Sequence, residues 1–313
     1  GHTVPRSNSA DAMIRSLTRA LVRPYRRTKP MTKRVAVLIP MRSEPAISDE
    51  EMVAVRQLDH FLPNHERFFL TPKGRPFHME GYGCVECPRK YFGSIGAHSR
   101  MLLNPDFYKR FEEYEYLFFY HLDSIVLSPD LEKWMDEDWD YIGPPWVISQ
   151  DTPWVKRQRV GNCGFSLLRV EAITKALLNR YRAEPSYYWS DKLIRSGARM
   201  PRVFRLLRKL GDSLPSAKFF RKTVKRWKKS ESQDHNMDLF FSDKASIYNP
   251  EFRVAPFEEG LKFGFEADPR KCFELNGHRM PFGAHAWYKF DRQFWEAHLL
   301  STSTHAHDEQ SVG

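Results

Sequence analysis

The fold is decided by residues 114–146, YEYLFFYHLDSIVLSPDLEKWMDEDWDYIGPPW. Residues 116–120 (YLFFY) are so apolar that both faces of a strand there must be covered, which is typical of a central strand in a parallel sheet. The polar residues His121 and Asp123 follow it directly. Open α/β sheets bind ligands just past the carboxyl ends of their strands. The stretch therefore predicts a central strand with a ligand site at its end.

The sequence around this strand predicts an alternation of strands and helices. An apolar run at residues 34–40 (RVAVLIP), helical spacing at 49–62 and a second apolar run at 67–71 (RFFLT) form a βαβ unit. Residues 72–89 are rich in Gly, Pro and Cys, and we expect a loop. Further predicted strands span residues 139–143 and 165–169, and further helical stretches span residues 90–113, 130–136, 171–183 and 236–242. The predicted fold class is α/β, with a mixed, mainly parallel sheet flanked by helices.

The formal charge of +10 is distributed unevenly along the 313 residues. Residues 1–34 carry nine Lys and Arg against one Asp, and residues 191–229 carry fourteen against two, which leaves the remaining residues with a net charge of −10. An acidic body with two cationic segments is typical of a protein that meets an anionic membrane surface. Ordinary solvated charged faces are the alternative.

The pattern divides the chain into three regions. We expect residues 1–32 to form a disordered leader and a basic amphipathic helix, 33–297 to form one domain with a basic helical insertion at 190–230, and 298–313 to form a polar tail. No run reaches the roughly 18 apolar residues that span a bilayer, and no secretory signal is apparent. These observations predict a cytoplasmic protein.

Four cysteines provide one C-x-x-C motif, Cys84 and Cys87, and two single residues, Cys163 and Cys272. A structural zinc site generally needs a second closely spaced ligand pair, and none follows. We therefore expect reduced structural thiols.

Three residues have the chemistry for a catalytic site. Asp123 is a hard oxygen ligand suited to Mg²⁺ or Mn²⁺, and His285, far along the chain, could complete the site. Asp238 opens an apolar helical segment and could accept a proton. The alternatives are a helix cap or a satisfied polar group for the first two residues, and a helix-dipole carboxylate for Asp238.

Five sequence blocks, taken in order, resemble the GT-A-like glycosyltransferases. They are residues 114–146 quoted above, GNCGFSLLRV (161–170), NMDLFFS (236–242), FGFEADP (263–269) and PFGAHAWYKFDRQFW (281–295). The resemblance spans residues 33–297. It implies a Rossmann-like GT-A fold and an inverting, metal-assisted, hexosyltransferase-like enzyme. Such an enzyme transfers a sugar from a nucleotide-sugar donor to an acceptor hydroxyl.

The resemblance also implies roles for the residues that match the family's motifs. Asp123 and His285 would hold Mn²⁺ or Mg²⁺, and His121 stands where an Asp-x-Asp motif has its first acid. Asp238 matches the general base of the inverting enzymes, with Met237 in place of a preceding Glu.

Two loops would hold the donor. Pro40, Arg42 and Glu44 end the first strand, where such folds bind the nucleotide base and ribose, and His121 would belong to the same donor site. Gly161, Asn162 and Gly164 match the loop that approaches the donor sugar or the acceptor.

The expected partners are a nucleotide-sugar donor and a glycan or lipid-linked acceptor, with the cationic segments on the inner leaflet of the membrane. This places the enzyme in polysaccharide or glycolipid synthesis. One alternative is a catalytically silent sugar-nucleotide-binding domain, because His121 and Met237 replace acids. The other is a nucleic-acid-binding protein that uses the basic insertion, with Phe219, Phe220 and Trp227 as stacking platforms. The acidic body makes nucleic acid the least favoured partner.

Overall fold

A computed structural model describes residues 8–196, 217–228 and 236–300 of the protein. The predicted leader before residue 8, most of the basic insertion at 190–230 and most of the tail at 298–313 lie outside the described residues. The strands are β1 (Lys33–Pro40), β2 (Glu66–Pro72), β3 (Gly83–Cys87), β4 (Tyr114–Tyr120), β5 (Ile125–Val126), β6 (Tyr141–Ile142), β7 (Pro145–Trp146), β8 (Arg159–Val160), β9 (Phe165–Arg169), β10 (Gly264–Phe265) and β11 (Gly283–Ala284).

Helices connect and cover these strands. They are α1 (Asn8–Leu21), α2 (Asp49–Phe61), α3 (Ile95–Leu102), α4 (Pro105–Tyr108), α5 (Leu131–Asp136), α6 (Val170–Ala183), α7 (Pro185–Ser196), α8 (Ala217–Lys228), α9 (Met237–Leu239), α10 (Ala245–Tyr248), α11 (Phe257–Phe263), α12 (Pro269–Leu275) and α13 (Arg292–Glu296), with short 3₁₀ turns at Arg89–Tyr91 and Lys109–Phe111. Within the predicted insertion, α7 and α8 are the described helical parts.

The central sheet has six strands in the order β3-β2-β1-β4-β9-β6. Strands β3, β2, β1 and β4 run parallel to one another, whereas β9 runs antiparallel to both β4 and β6. Residues 116–120 are all buried, and buried residues of α2, α3 and α6 share one core with the strands. The structure confirms the predicted α/β class with a mixed, mainly parallel sheet flanked by helices.

The strand order reverses between β1 and β4. The chain passes from β1 outward through β2 to β3, and then returns to place β4 on the other side of β1. Since β1 and β4 are parallel, Pro40 and Tyr120 end them at the same edge of the sheet. A reversal of this kind opens a crevice at the carboxyl ends of the strands. The predicted ligand residues at the ends of β1 and β4 therefore lie at the same edge of the sheet.

One local prediction was wrong. Residues 72–89 are not entirely loop, because β3 forms an edge strand that pairs with β2 from Phe68 to Pro72. β3 is stabilised by its pairing with β2, and the amino-acid composition of residues 72–89 gives no information about that pairing. The helix predicted to open at residues 236–242 is confirmed: it begins as α9 and continues through a π-helical turn, Phe240–Lys244, into α10.

The N-terminal helix packs on the body of the protein. α1 contacts α6 and α7, and the Trp189 indole N–H donates a hydrogen bond of 3.3 Å to the Thr18 hydroxyl. Arg27, beyond the helix, forms a 2.8 Å ion pair with Glu171. The described part of the leader is therefore attached to the sheet domain through the layer of helices.

The four cysteines are free, which confirms the prediction of reduced thiols. Across the described residues, no helix has both the length and the apolar character needed to cross a membrane.

Candidate metal and active site

A small three-stranded sheet, β10-β11-β5, gathers three charged residues. Asp123 lies just before β5, Glu266 directly follows β10, and His285 directly follows β11. Strand β11 pairs with both of the others, in register through Gly283 and Ala284. This pairing brings residues that are distant in sequence to the carboxyl end of β4.

His285 lies between two carboxylates. Its Nε2 atom is 3.2 Å from Asp123 Oδ1, and its Nδ1 atom is 2.8 Å from Glu266 Oε1. The side chains of Asp123 and His285 are only 12% and 14% exposed. Asn162 Nδ2 donates a 2.6 Å hydrogen bond to Glu266, and Lys289 Nζ lies 2.5 Å from Asp123 Oδ2. The carboxylates are thus held in fixed positions around the imidazole.

These contacts shift the pKa values of the pair in opposite directions. Burial alone would lower the pKa of His285, but Asp123 and Glu266 together raise it to about 10. Burial would raise the pKa of Asp123, yet the adjacent His285 and Lys289 hold it well below its usual range. Without a bound cation, the site therefore contains an imidazolium between two carboxylates at neutral pH.

Two further histidines adjoin this group. The ring of His121 lies 5.5 Å from the ring of His285 and 5.1 Å from that of His98, which projects from α3. Burial lowers the pKa of His98 to about 4 and holds the pKa of His121 well below its usual range. The Nε2 atoms of both rings are buried and have no hydrogen-bond partner among the described residues. Both imidazoles are therefore neutral, with a nitrogen available.

His121, Asp123 and His285 fit a divalent cation. Their potential ligand atoms all lie within 4.8 Å of one another, and this is the only such group of His, Cys, Asp or Glu in the described parts of the chain. A neutral imidazole nitrogen and a carboxylate oxygen are ordinary ligands of divalent metals. The buried, unpaired Nε2 atom of His121 would gain its missing partner from such an ion.

Asp238 occupies the first turn of α9, just before the π-helical turn. Asn236 caps the helix by accepting a 2.9 Å hydrogen bond from the Leu239 N–H. The Oδ1 atom of Asp238 is buried and accepts no hydrogen bond from any described residue. Burial raises the pKa of Asp238 to about 6, although the adjacent Cys163 and the charge of His285 lower it. Such a carboxylate is suited to proton transfer near neutral pH.

The predicted nucleotide residues after β1 face the same edge. Arg42 forms a 2.5 Å ion pair with Glu51, and Glu44 pairs with Arg75. Burial raises the pKa of the Tyr288 hydroxyl, on which the charges of Asp123 and Arg42 both act. The charges of Arg42, after β1, and of Asp123, after β4, therefore act on the same hydroxyl group.

The predicted glycine loop divides between two environments. A Cβ atom on Gly164 would lie 2.1 Å from Nε2 of His285, so only glycine permits the imidazole to stand where it does. A Cβ atom on Gly161 would instead lie 2.5 Å from the indole of Trp146. Asn162, between them, contacts Glu266 and lies 3.1 Å from Nδ1 of His285. Gly164 and Asn162 therefore lie against His285, while Gly161 packs against Trp146.

Sequence reasoning missed three residues of this site: Glu266, Lys289 and His98. Glu266 and Lys289 fall within two of the sequence blocks that carry the glycosyltransferase resemblance, which was the signal that could have selected them. His98 had no such signal, because its helix is joined to the site only by packing. Each of the three contacts a predicted site residue that is not adjacent to it in sequence: His98 contacts His121, Glu266 contacts His285, and Lys289 contacts Asp123.

Comparisons with known proteins identify a family. The family model described as "Protein of unknown function (DUF5672)" matches residues 81–285. A search of curated proteins found no match.

Solved structures show remote similarity to this chain. The bifunctional IspDF from Campylobacter jejuni is 11% identical with a TM-score of 0.30, covering 48% of this chain and 47% of that one. The apo-form glycosyltransferase GlyE from Streptococcus pneumoniae TIGR4 is 14% identical with a TM-score of 0.40, covering 86% and 61%. S. aureus TarS 1–349 in complex with UDP is 8% identical with a TM-score of 0.28, covering 73% and 78%. The chain spans less than two thirds of the first two proteins. Because the family model matches well over half of the 313 residues, this protein belongs to the DUF5672 family.

Proposed function

We propose that the protein is a glycosyltransferase that moves a sugar from a nucleotide-sugar donor to an acceptor hydroxyl, with inversion and with help from a divalent metal. The observation that carries the proposal is the Asp123–His285 pair, 3.2 Å apart at the crevice between β1 and β4. The charge of His285 lowers the pKa of Asp238, so the two groups are within electrostatic range of each other. This reaction needs positive charge to neutralise the leaving diphosphate and a base to take the proton of the acceptor hydroxyl.

The donor half of the site would stabilise the leaving diphosphate. A divalent ion on Asp123 and His285 would supply positive charge where negative charge develops. Lys289, about half exposed beside Asp123, contributes a second positive group at the mouth of the crevice. Pro40, Arg42 and Glu44 would contact the nucleoside, because they lie at the carboxyl end of β1, on the other side of the crevice.

The acceptor half would depend on Asp238. With a pKa of about 6, its carboxylate is mostly unprotonated at pH 7 and can take the proton of an acceptor hydroxyl. The acceptor oxygen then bonds to the anomeric carbon as the bond from that carbon to the diphosphate oxygen breaks. The nucleoside diphosphate leaves, and the proton remains on Asp238.

A thermal-shift screen tests this proposal. We expect one of the UDP-, GDP-, CMP- or TDP-linked sugars, at about 100 times its Kd with Mn²⁺, to raise the Tm by about 5 °C. Without the metal, or in Asp123→Asn, the shift should be much smaller, since the diphosphate loses its counter-charge. A screen in which no donor raises the Tm in any metal would contradict the proposal. Binding without donor hydrolysis or transfer would favour the silent binding domain.

We further propose that the acceptor is a glycan or lipid-linked molecule at an anionic membrane surface. α1 exposes Met13, Leu17 and Leu21 at 59%, 52% and 59%, beside the exposed cations Arg15 and Arg19. An apolar stripe next to cations is typical of helices that lie in the interface of an anionic leaflet.

Vesicle flotation tests the membrane surface. We expect the full chain to float with vesicles that contain anionic lipid and to remain unbound with neutral vesicles. The double variant Leu17→Glu and Leu21→Glu should lose most of this binding, because both side chains are already exposed and the fold does not depend on them. The matched control Ile247→Glu, which changes an exposed apolar residue of α10, should float like the wild type. Equal flotation of all three proteins would contradict the proposal.

A further inference from the structure

The candidate metal group is rich in nitrogen. Two of its three potential ligands are imidazoles, His121 and His285, and the third is the carboxylate of Asp123. His98 places a third imidazole 5.1 Å from the His121 ring, with its own Nε2 atom buried and without a partner in the described chain. Nitrogen ligands thus outnumber oxygen ligands around the position that a cation would take.

The nearby oxygen ligands are already engaged. Glu266 accepts a hydrogen bond from Asn162 and lies against Nδ1 of His285, on the far side of that ring from Asp123. Asp123 Oδ2 contacts Lys289, which leaves Oδ1 toward His285. One carboxylate oxygen therefore faces the group of imidazoles.

This balance matters because cations differ in the ligands that they prefer. Mg²⁺ and Ca²⁺ are hard ions that bind almost exclusively oxygen and need several such ligands. Neutral imidazole suits Zn²⁺, Co²⁺ and the other first-row transition metals, whose affinity for nitrogen sites is higher. A carboxylate on the far nitrogen of a ligand imidazole, as Glu266 is to His285, orients the ring and strengthens it as a ligand.

We infer that His121 is the third ligand of this centre and that it makes the protein select a first-row transition-metal ion over Mg²⁺ or Ca²⁺. The inference rests on the proposed function, because it concerns the metal of the same site. It goes further in naming the class of metal and the residue that decides it.

Metal titrations of the chelator-treated full chain test the inference. We expect calorimetry to give Co²⁺ and Zn²⁺ dissociation constants at least about 100-fold lower than that of Mg²⁺, with a visible absorption band on Co²⁺ binding. His121→Asp, which replaces nitrogen with oxygen, should lower this ratio at least about tenfold and alter the Co²⁺ band. The control His60→Asp changes an exposed histidine in the last turn of α2, at the opposite edge of the sheet, and should leave both unchanged.

A measurement on the wild type alone avoids any folding defect of a variant. Zn²⁺ should shift the imidazole ¹⁵N resonances of His121 and His285 and leave those of His60 in place. Three results would each overturn the inference. They are Mg²⁺ binding as tight as Co²⁺ binding, an unchanged Co²⁺ absorption band in folded His121→Asp, and a His121 ¹⁵N resonance that does not shift when Zn²⁺ is added.

The two proposals fail in different ways. A donor-induced Tm shift that is equally large in Mg²⁺ would overturn the metal selectivity and leave the transferase proposal standing. If Zn²⁺ binds through His121 but no donor shifts the Tm in any metal, the transferase proposal is overturned and the metal selectivity stands.

Discussion

Replacing Asp123 with Asn is expected to lower kcat/KM for sugar transfer by about 10³-fold, or about 4 kcal/mol of transition-state stabilisation. The carboxylate contacts His285 at 3.2 Å and Lys289 at 2.5 Å, so its loss removes a proposed metal ligand and the negative charge beside both side chains. His285 and Lys289 then lose the partner that aligns them, so the negative charge of the leaving diphosphate is less well neutralised. Steady-state assays of nucleoside diphosphate release measure the effect.

Two further variants separate position from charge. Gly164→Ala keeps every ligand but places a Cβ atom 2.1 Å from Nε2 of His285, so the ring must move, and we expect a loss of about 10²-fold. Asp136→Asn is the matched control, since this exposed carboxylate pairs with Arg34 at the amino end of β1, and its rate should stay near wild type. An Asp123→Asn enzyme as fast as the control would remove the basis of the proposed mechanism.

Replacing Asp238 with Asn is expected to lower kcat by about 10²- to 10⁴-fold, the usual contribution of a general base. The dependence of the wild-type kcat on pH should report the ionisation of Asp238. A base must be unprotonated to act, and the pKa of Asp238 is about 6, so kcat should fall about tenfold per pH unit below pH 6 and level off above it. The variant should lack this limb. Its KM for the donor should change little.

Stability distinguishes a catalytic role of Asp238 from a structural one. Burial raises its pKa, so the charged form is the costly one in the folded protein, and Asn should leave the Tm unchanged or raise it. Asp243→Asn is a matched control on the adjoining π-helical turn, where Asp243 pairs with Arg157 and Arg159. A rate loss in Asp238→Asn that is accompanied by a large drop in Tm, or equally large rate losses in both variants, would indicate a structural role.

Much of the central sheet could be predicted from local pattern. β1, β2, β4 and β9 appear where continuous apolar runs predicted them, because strands covered on both faces must be apolar throughout. β3 could not be predicted in this way, since it is held at the edge by hydrogen bonds from β2 and its own composition resembles a loop. The π-helical turn after Asp238 also lacks a local signal.

The site divides along the same line. Sequence placed Asp123 after a central strand and singled out His285 and Asp238, partly through a family resemblance. The ring contacts of His98 and the hydrogen bond that His285 Nδ1 donates to Glu266 follow from packing between α3, β4 and the small sheet, and these elements lie far apart in sequence.

By itself, the sequence determined the α/β class and the position of Asp123 at the end of β4, because both depend on which residues can be buried locally. Only the tertiary structure decided that Glu266 joins Asp123 and His285, whose proximity the family resemblance implied. The strands that carry them contribute two residues each, and so short a strand has no periodicity of its own. Their pairing is specified by the packing of the whole domain, which no local stretch of sequence encodes.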